Sequence, residues 1–140
     1  MQTLERDGLL FIRMFSGESY YDCLAEACRR HQVRSAVVLS SLGQFGEFEL
    51  GYFVARGDYA PERFTEPHEL VAVSGLVSTN DGEPEFHLHA TLGGRDKRTV
   101  SGHLLSAVVA ITNETVLLES EASLTRRLSD ETGLRMLELV

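Results

Sequence analysis

The stretch LVAVSGLVSTNDGEPEFHLHATL, residues 70–92, decides the fold. Leu70 to Val77 has the composition of a strand and no helical period. Glu85 to Leu92 alternates strictly, with Phe86, Leu88, Ala90 and Leu92 apolar and Glu85, His87, His89 and Thr91 polar between them. That period of two is the pattern of a strand with one face in a core and the other in water. Asn80-Asp81-Gly82 separates the two, and such residues accept the positive φ that a tight hairpin requires. An antiparallel hairpin is therefore the seed of the fold.

Working outward, Gly93-Gly94-Arg95-Asp96 reads as a turn, followed by strands at Val100 to Ile111 and Thr115 to Glu121, with Thr112-Asn113-Glu114 between them. Upstream, residues 56–67 hold Gly57, Asp58, Pro61 and Pro67 and read as a loop. Glu47 to Val54 alternates as a half-solvated strand, and Ser35 to Ser40 suits a buried one, with Gly43 and Gly46 breaking the chain between them. Gly8 to Phe15 is a further strand. From Glu18 to His31 the period changes, because Tyr20, Leu24, Ala27, Cys28 and His31 fall on one face of a helix. Ser16 or Ser19 can cap it, with Glu18 and Asp22 in its first turn and Arg29 and Arg30 in its last, as the macrodipole favours. The tail from Ser123 has mixed periodicity. The sum is an α+β fold, a mostly antiparallel sheet of about seven strands with a helix packed on one face.

The chain has 140 residues, enough for one domain with a sizeable core, and 13 Lys and Arg against 21 Asp and Glu give a net charge of −8. Direct binding to nucleic acid is disfavoured by that balance, since duplex affinity comes largely from Lys and Arg displacing counterions. No apolar run approaches the roughly 20 residues of a membrane helix. The polar, acidic start lacks a secretory pattern, so a cytoplasmic location is expected. Cys23 and Cys28, five apart on one helix, point about 140° away from each other and are not expected to form a bridge. They read as buried packing residues.

Chemistry concentrates in the histidines. His87 and His89 are i and i+2 on one strand, so both imidazoles leave the same face, with Cα atoms roughly 6.6–7 Å apart. His103 lies on the next strand, where a hairpin can bring it to the same face, and Gly102 beside it leaves room for close approach. Three imidazoles with an open fourth position suit zinc, and also accept nickel, iron or cobalt. The same spacing suits a merely polar strand surface. Glu69 and Glu85 flank the pair in sequence and could orient an imidazole from behind. His31 reads as a capping residue and His68 stays outside the site. The basic pieces Arg95-Lys97-Arg98 and Arg126-Arg127 read as solvated surface. No nucleophile elbow, phosphate loop, dinucleotide fingerprint or HExxH motif occurs.

Taken in order, Ser16-Gly17-Glu18, residues 69–75 (ELVAVSG), Asp81-Gly82-Glu83-Pro84 leading into His87-Leu88-His89, and Ser101-Gly102-His103-Leu104 resemble the PPC domain family, the plants and prokaryotes conserved domain. The resemblance runs over about residues 8–124, within a single domain spanning 1–140 and leaving 125–140 as a tail. It implies a homotrimer, and histidine ligands at the positions of His87, His89 and His103. Plant members carry the domain beside AT-hooks, whereas this chain has only Arg56-Gly57 followed by Asp58. Pro67-His68 stand where the plant motif before the residue matching Glu69 has Arg-Phe, which weakens any partner surface carried over from those proteins. The leading expectation is a trimeric metal-binding protein with a regulatory role or a small ligand at the metal. The alternatives are a metal-dependent enzyme using metal-bound water, with Glu69 or Glu85 as base, and a transcription-associated protein reaching DNA through a partner.

Overall fold

A computed structural model describes residues 1–139. Strand β1 (Gln2–Arg6) turns at Asp7 and Gly8, both at positive φ, into β2 (Leu9–Phe15). Leu10, Ile12 and Met14 of β2 are buried while Phe11, Arg13 and Phe15 are exposed. Helix α1 (Tyr20–His31) starts at Ser19, whose hydroxyl accepts the Asp22 N–H, and ends where Gln32 adopts a left-handed φ of 58°. Of the two acids expected in its first turn only Asp22 is there. Glu18 precedes the cap and accepts from the Phe15 N–H and the N-terminal ammonium. Tyr20, Cys23, Leu24, Ala27 and Cys28 form the buried helical face, and both cysteines are free.

After the helix come β3 (Ala36–Ala55), β4 (Asp58–Phe64), β5 (His68–Asn80), β6 (Glu83–Gly93) and β7 (Thr99–Glu119), followed by a small separate hairpin of β8 (Thr125–Leu128) and β9 (Arg135–Glu138). Seven strands form one antiparallel sheet in the order β1-β2-β7-β6-β5-β3-β4. Because β7 also pairs with β3, the strands β3, β5, β6 and β7 close into a ring. Helix α1 packs against β2, β6 and β7. The largest buried side chains, among them Tyr20, Phe45, Phe48, Leu88, Leu92, Leu104 and Leu117, belong to one hydrophobic core.

Three expectations are corrected. Gly43 and Gly46 do not end a strand, and Thr112-Asn113-Glu114 is not a turn. In both places the chain runs on, and the β3–β7 register shifts between Gly43 and Phe45 and again before Glu47. These bulges bend the paired strands without breaking them. At the bend the fully buried Tyr20, Ser41, Asn113 and Thr115 satisfy one another through side-chain hydrogen bonds of 2.7–3.4 Å. The segment read as a loop is β4, an edge strand paired with the second half of β3. An edge tolerates Pro61, whose missing N–H costs no ladder bond on the open side.

Gly75 ties fold to site. It lies opposite Leu88 with φ 154°, and a Cβ there would fall 2.0 Å from the His87 carbonyl oxygen. Gly75→Ala is expected to destabilise the protein by about 2–3 kcal/mol in urea unfolding, because either the clash or the backbone angle must be relieved by opening β5 from β6.

Candidate metal centre

The alternation of β6 buries Leu88 and Ala90 and turns His87 and His89 to the opposite face. His103 of β7 is the direct cross-strand partner of His89, and directly opposed residues share a face. The three rings stand at the corners of a nearly equilateral triangle, with centroids 5.3 Å (His87–His89), 5.1 Å (His87–His103) and 5.3 Å (His89–His103) apart. One nitrogen from each lies within 4.8 Å of the others. Bonds of about 2.0–2.1 Å to one tetrahedral ion would require nitrogens roughly 3.4 Å apart. Small side-chain rotations close that gap, so the donor set fits an ion of this kind.

Local packing fixes the triangle. The edge of the Tyr59 ring on β4 meets His103 at 6.0 Å. A Cβ on Gly51, the β3 residue paired with His103, would fall 2.1 Å from that tyrosine ring. Gly102 does allow close approach, but toward β3: a Cβ there would sit 3.0 Å from the Gly51 carbonyl oxygen. Burial, then the positive charge of Arg126 and the neighbouring His89, hold His87 below the ordinary imidazole range. His103 is pushed down to about 4, first by burial and then by His87, His89 and Arg126. Both rings are thus neutral near pH 7, the form in which imidazole ligates.

The triangle opens on a cavity of about 1000 Å³ whose walls include Tyr59, Phe86, Leu105, Arg126, Arg135 and Met136. Arg126 reaches it from the C-terminal hairpin and donates to Nδ1 of His87 at 2.8 Å. A guanidinium only donates, so Nδ1 holds the lone pair and the proton of the neutral ring sits on Nε2. In that state His87 has no free lone pair.

Of the flanking acids, Glu85 lines the cavity but is bound to Arg135 at 2.6 Å, and its other oxygen is buried without a partner among the described residues. Glu69 lies at the start of β5, accepts from Gln44 at 2.8 Å, and is not part of the cavity wall. Neither carboxylate hydrogen-bonds an imidazole of the triangle. His31 bonds Thr3 at 2.9 Å, and His68 packs edge-on to Phe48 and Phe64. Sequence reasoning missed Tyr59, Arg126 and Arg135. The Arg126-Arg127 pair was visible, but nothing local tells which arginine turns inward.

The model of the Plants and Prokaryotes Conserved (PCC) domain matches residues 1–121. The chain belongs to this family. The PCC fold is shared with a Bacteroides thetaiotaomicron protein provisionally described as DNA-binding, at 22% identity and a TM-score of 0.92 over 99% of this chain and 96% of that one. A plant- and prokaryote-conserved protein of Pyrococcus horikoshii gives 22% and 0.85 over 99% and 94%. A metal-containing protein of Archaeoglobus fulgidus gives 27% and 0.82 over 97% and 98%. No curated protein matches the sequence. No helix of the described residues is long and apolar enough to cross a membrane.

The lowered His103 gives a pH prediction for the metal-free PCC domain. Between the unfolded value near 6.5 and the folded value of about 4, the unfolded chain takes up a proton that the folded chain refuses. Stability is therefore complete above pH 6.5 and falls as pH drops through that window. Thermal unfolding should show Tm several degrees lower at pH 5 than at pH 7, with a smaller drop in His103→Asn.

Proposed function

We propose that this PCC domain binds one divalent transition-metal ion, zinc first, through His87, His89 and His103, and acts as a metal-dependent ligand-binding module in a homotrimer. The carrying observation is the convergence of three imidazoles from two paired strands, with one nitrogen of each within 4.8 Å of the others. Support comes from the neutral state of His87 and His103 and from the metal-containing description of the Archaeoglobus protein. When bound, the ion would supply a Lewis acid with a coordination position facing the cavity. His87 would hold such an ion only with Arg126 off Nδ1, either through that nitrogen or through Nε2 with the ring proton on Nδ1.

Binding is favoured over a hydrolytic role. Glu85 is held by Arg135 and Glu69 sits outside the cavity, so neither is placed as a base toward the imidazoles. The net charge of −8 speaks against direct contact with DNA and leaves association through a partner as the route to it. For the trimer, the support is an apolar strip on the sheet face away from α1. Leu9, Leu118 and Val37 are register partners across β2, β7 and β3, with Phe11 and Val116 next to them. Val37, Leu118 and Phe11 are each about 40% exposed in the single chain, which leaves contiguous apolar surface in water.

Protein purified without chelator should carry about one ion per chain by mass spectrometry, and His87→Ala, His89→Ala or His103→Ala should each lose it. Unchanged metal in the triple alanine variant would sink the assignment. Arg126→Leu should tighten zinc by about tenfold in a competition titration, because the hydrogen bond and the positive charge that oppose the ion are both gone. Sedimentation should give three times the 15.5 kDa chain mass, and Val37→Glu should shift it toward the monomer.

A further inference from the structure

The cavity holds a cation that the imidazole site does not explain. Arg126 makes three hydrogen bonds among the described residues: two to the Arg135 carbonyl oxygen, at 3.2 and 2.8 Å, and one to His87 Nδ1 at 2.8 Å. Both acceptors are neutral, and no carboxylate lies within ion-pair distance among the described residues. Arg135, beside it, is different, because Glu85 neutralises it at 2.6 Å. Arg126 is partly buried, and burial pulls its guanidinium below its ordinary basicity. Glu85 in the same wall offsets that charge only from beyond ion-pair distance, less than burial opposes it, and a partly desolvated guanidinium with no bonded counter-ion is costly. This arginine is left facing a void.

We propose that the cavity is a binding site for a small organic molecule with an oxyanion head, carboxylate or phosphate, and that Arg126 is the residue that receives that head. The planar guanidinium fork matches both groups through paired N–H donors. The walls provide for the rest of such a molecule, since Phe53, Phe86, Leu105, Leu134 and Met136 line the same cavity. A volume of about 1000 Å³ admits a body of several carbons. The β8–β9 hairpin carries the selectivity: it supplies Arg126, and Arg135 crosses back to donate to the Arg126 carbonyl oxygen at 2.8 Å, locking the two strands together.

The proposal rests in part on the metal reading, since an ion at His87 would release Arg126 from Nδ1 and free its N–H groups for the anion. Ion and anion should therefore strengthen each other, beyond the plain attraction of opposite charges.

The test is calorimetric titration at about 50 mM salt, where screening is modest. Hexanoate, hexyl phosphate and the neutral control hexanol are titrated into zinc-free and zinc-loaded protein, with any chelator removed beforehand because it is itself a polycarboxylate. The two anions are expected to bind about tenfold more tightly than hexanol to the zinc-free protein, and more tightly again once zinc is present. The tighter of the two identifies the head group. Arg126→Leu should abolish the preference in the zinc-free protein and cut it in the zinc-loaded protein to what the ion alone supplies, while Arg126→Lys retains part of it, with amide spectra confirming that both variants are folded. Equal affinity for anions and hexanol in both states would overturn the proposal. So would an anion preference undiminished in Arg126→Leu, which would assign the anion to the ion if it appears only with zinc and to another group of the cavity if it appears without it. A protein that takes up no zinc would remove the metal reading, and the zinc-free titrations would still decide this one.

Discussion

Everything in this molecule hangs on the pairing of β3 with β7. Each is about twenty residues long, and they run antiparallel over most of their length, exchanging partners through four register shifts. Without that contact the sheet would be an open ribbon. With it, β3, β5, β6 and β7 close into a ring, and the second half of β3 with the first half of β7 carries the cavity. The bend between the halves puts polar groups where no water reaches. Tyr20, Ser41, Asn113 and Thr115 answer this by bonding to one another, so the bend costs no orphaned donors there. Low local dielectric makes such a network strong when complete and expensive when broken.

How much of this was legible in the sequence depended on the range of the determining interaction. The hairpin of β5 and β6 is local, and its alternation and turn residues announced it. The helix was equally plain, with Ser19 one of the two serines that could cap it. The seven strands of the sheet agree in number with the expectation but not in membership. Two pairs of expected strands are each one bent strand, and β1 and β4 make up the count. Glycine signals a break when read locally, yet Gly43 sits opposite Asn113 in a continuous ladder, because a partner strand on the far side of the chain holds it there. Pro61 misled in the same way, since a proline on an edge is compatible with a strand.

The three imidazoles came together as the i, i+2 spacing and the neighbouring strand suggested, because sheet geometry leaves few other positions for them. Their surroundings did not show in the sequence. Glu69 and Glu85 are near the pair along the chain, but one turns to Gln44 and the other to Arg135. The charge that does touch the triangle is positive and comes from 39 residues beyond His87. Proximity in sequence predicts little for side chains that cross between elements, and a long arginine can reach from a hairpin that has no period of its own.

The matched family region ends at residue 121, with all three histidines inside it and Arg126 beyond it. The scaffold with its imidazoles and the arm that leans over them are thus written on separate stretches of chain, joined by residues 120–124. A change in the arm leaves every rung of the ring intact. Selection can then retune what enters the cavity by editing some fifteen residues at the end of the chain, leaving folding to the rest. Relatives with the same sheet and the same imidazoles are free to differ in what they accept, and the place to look for that divergence is the last hairpin.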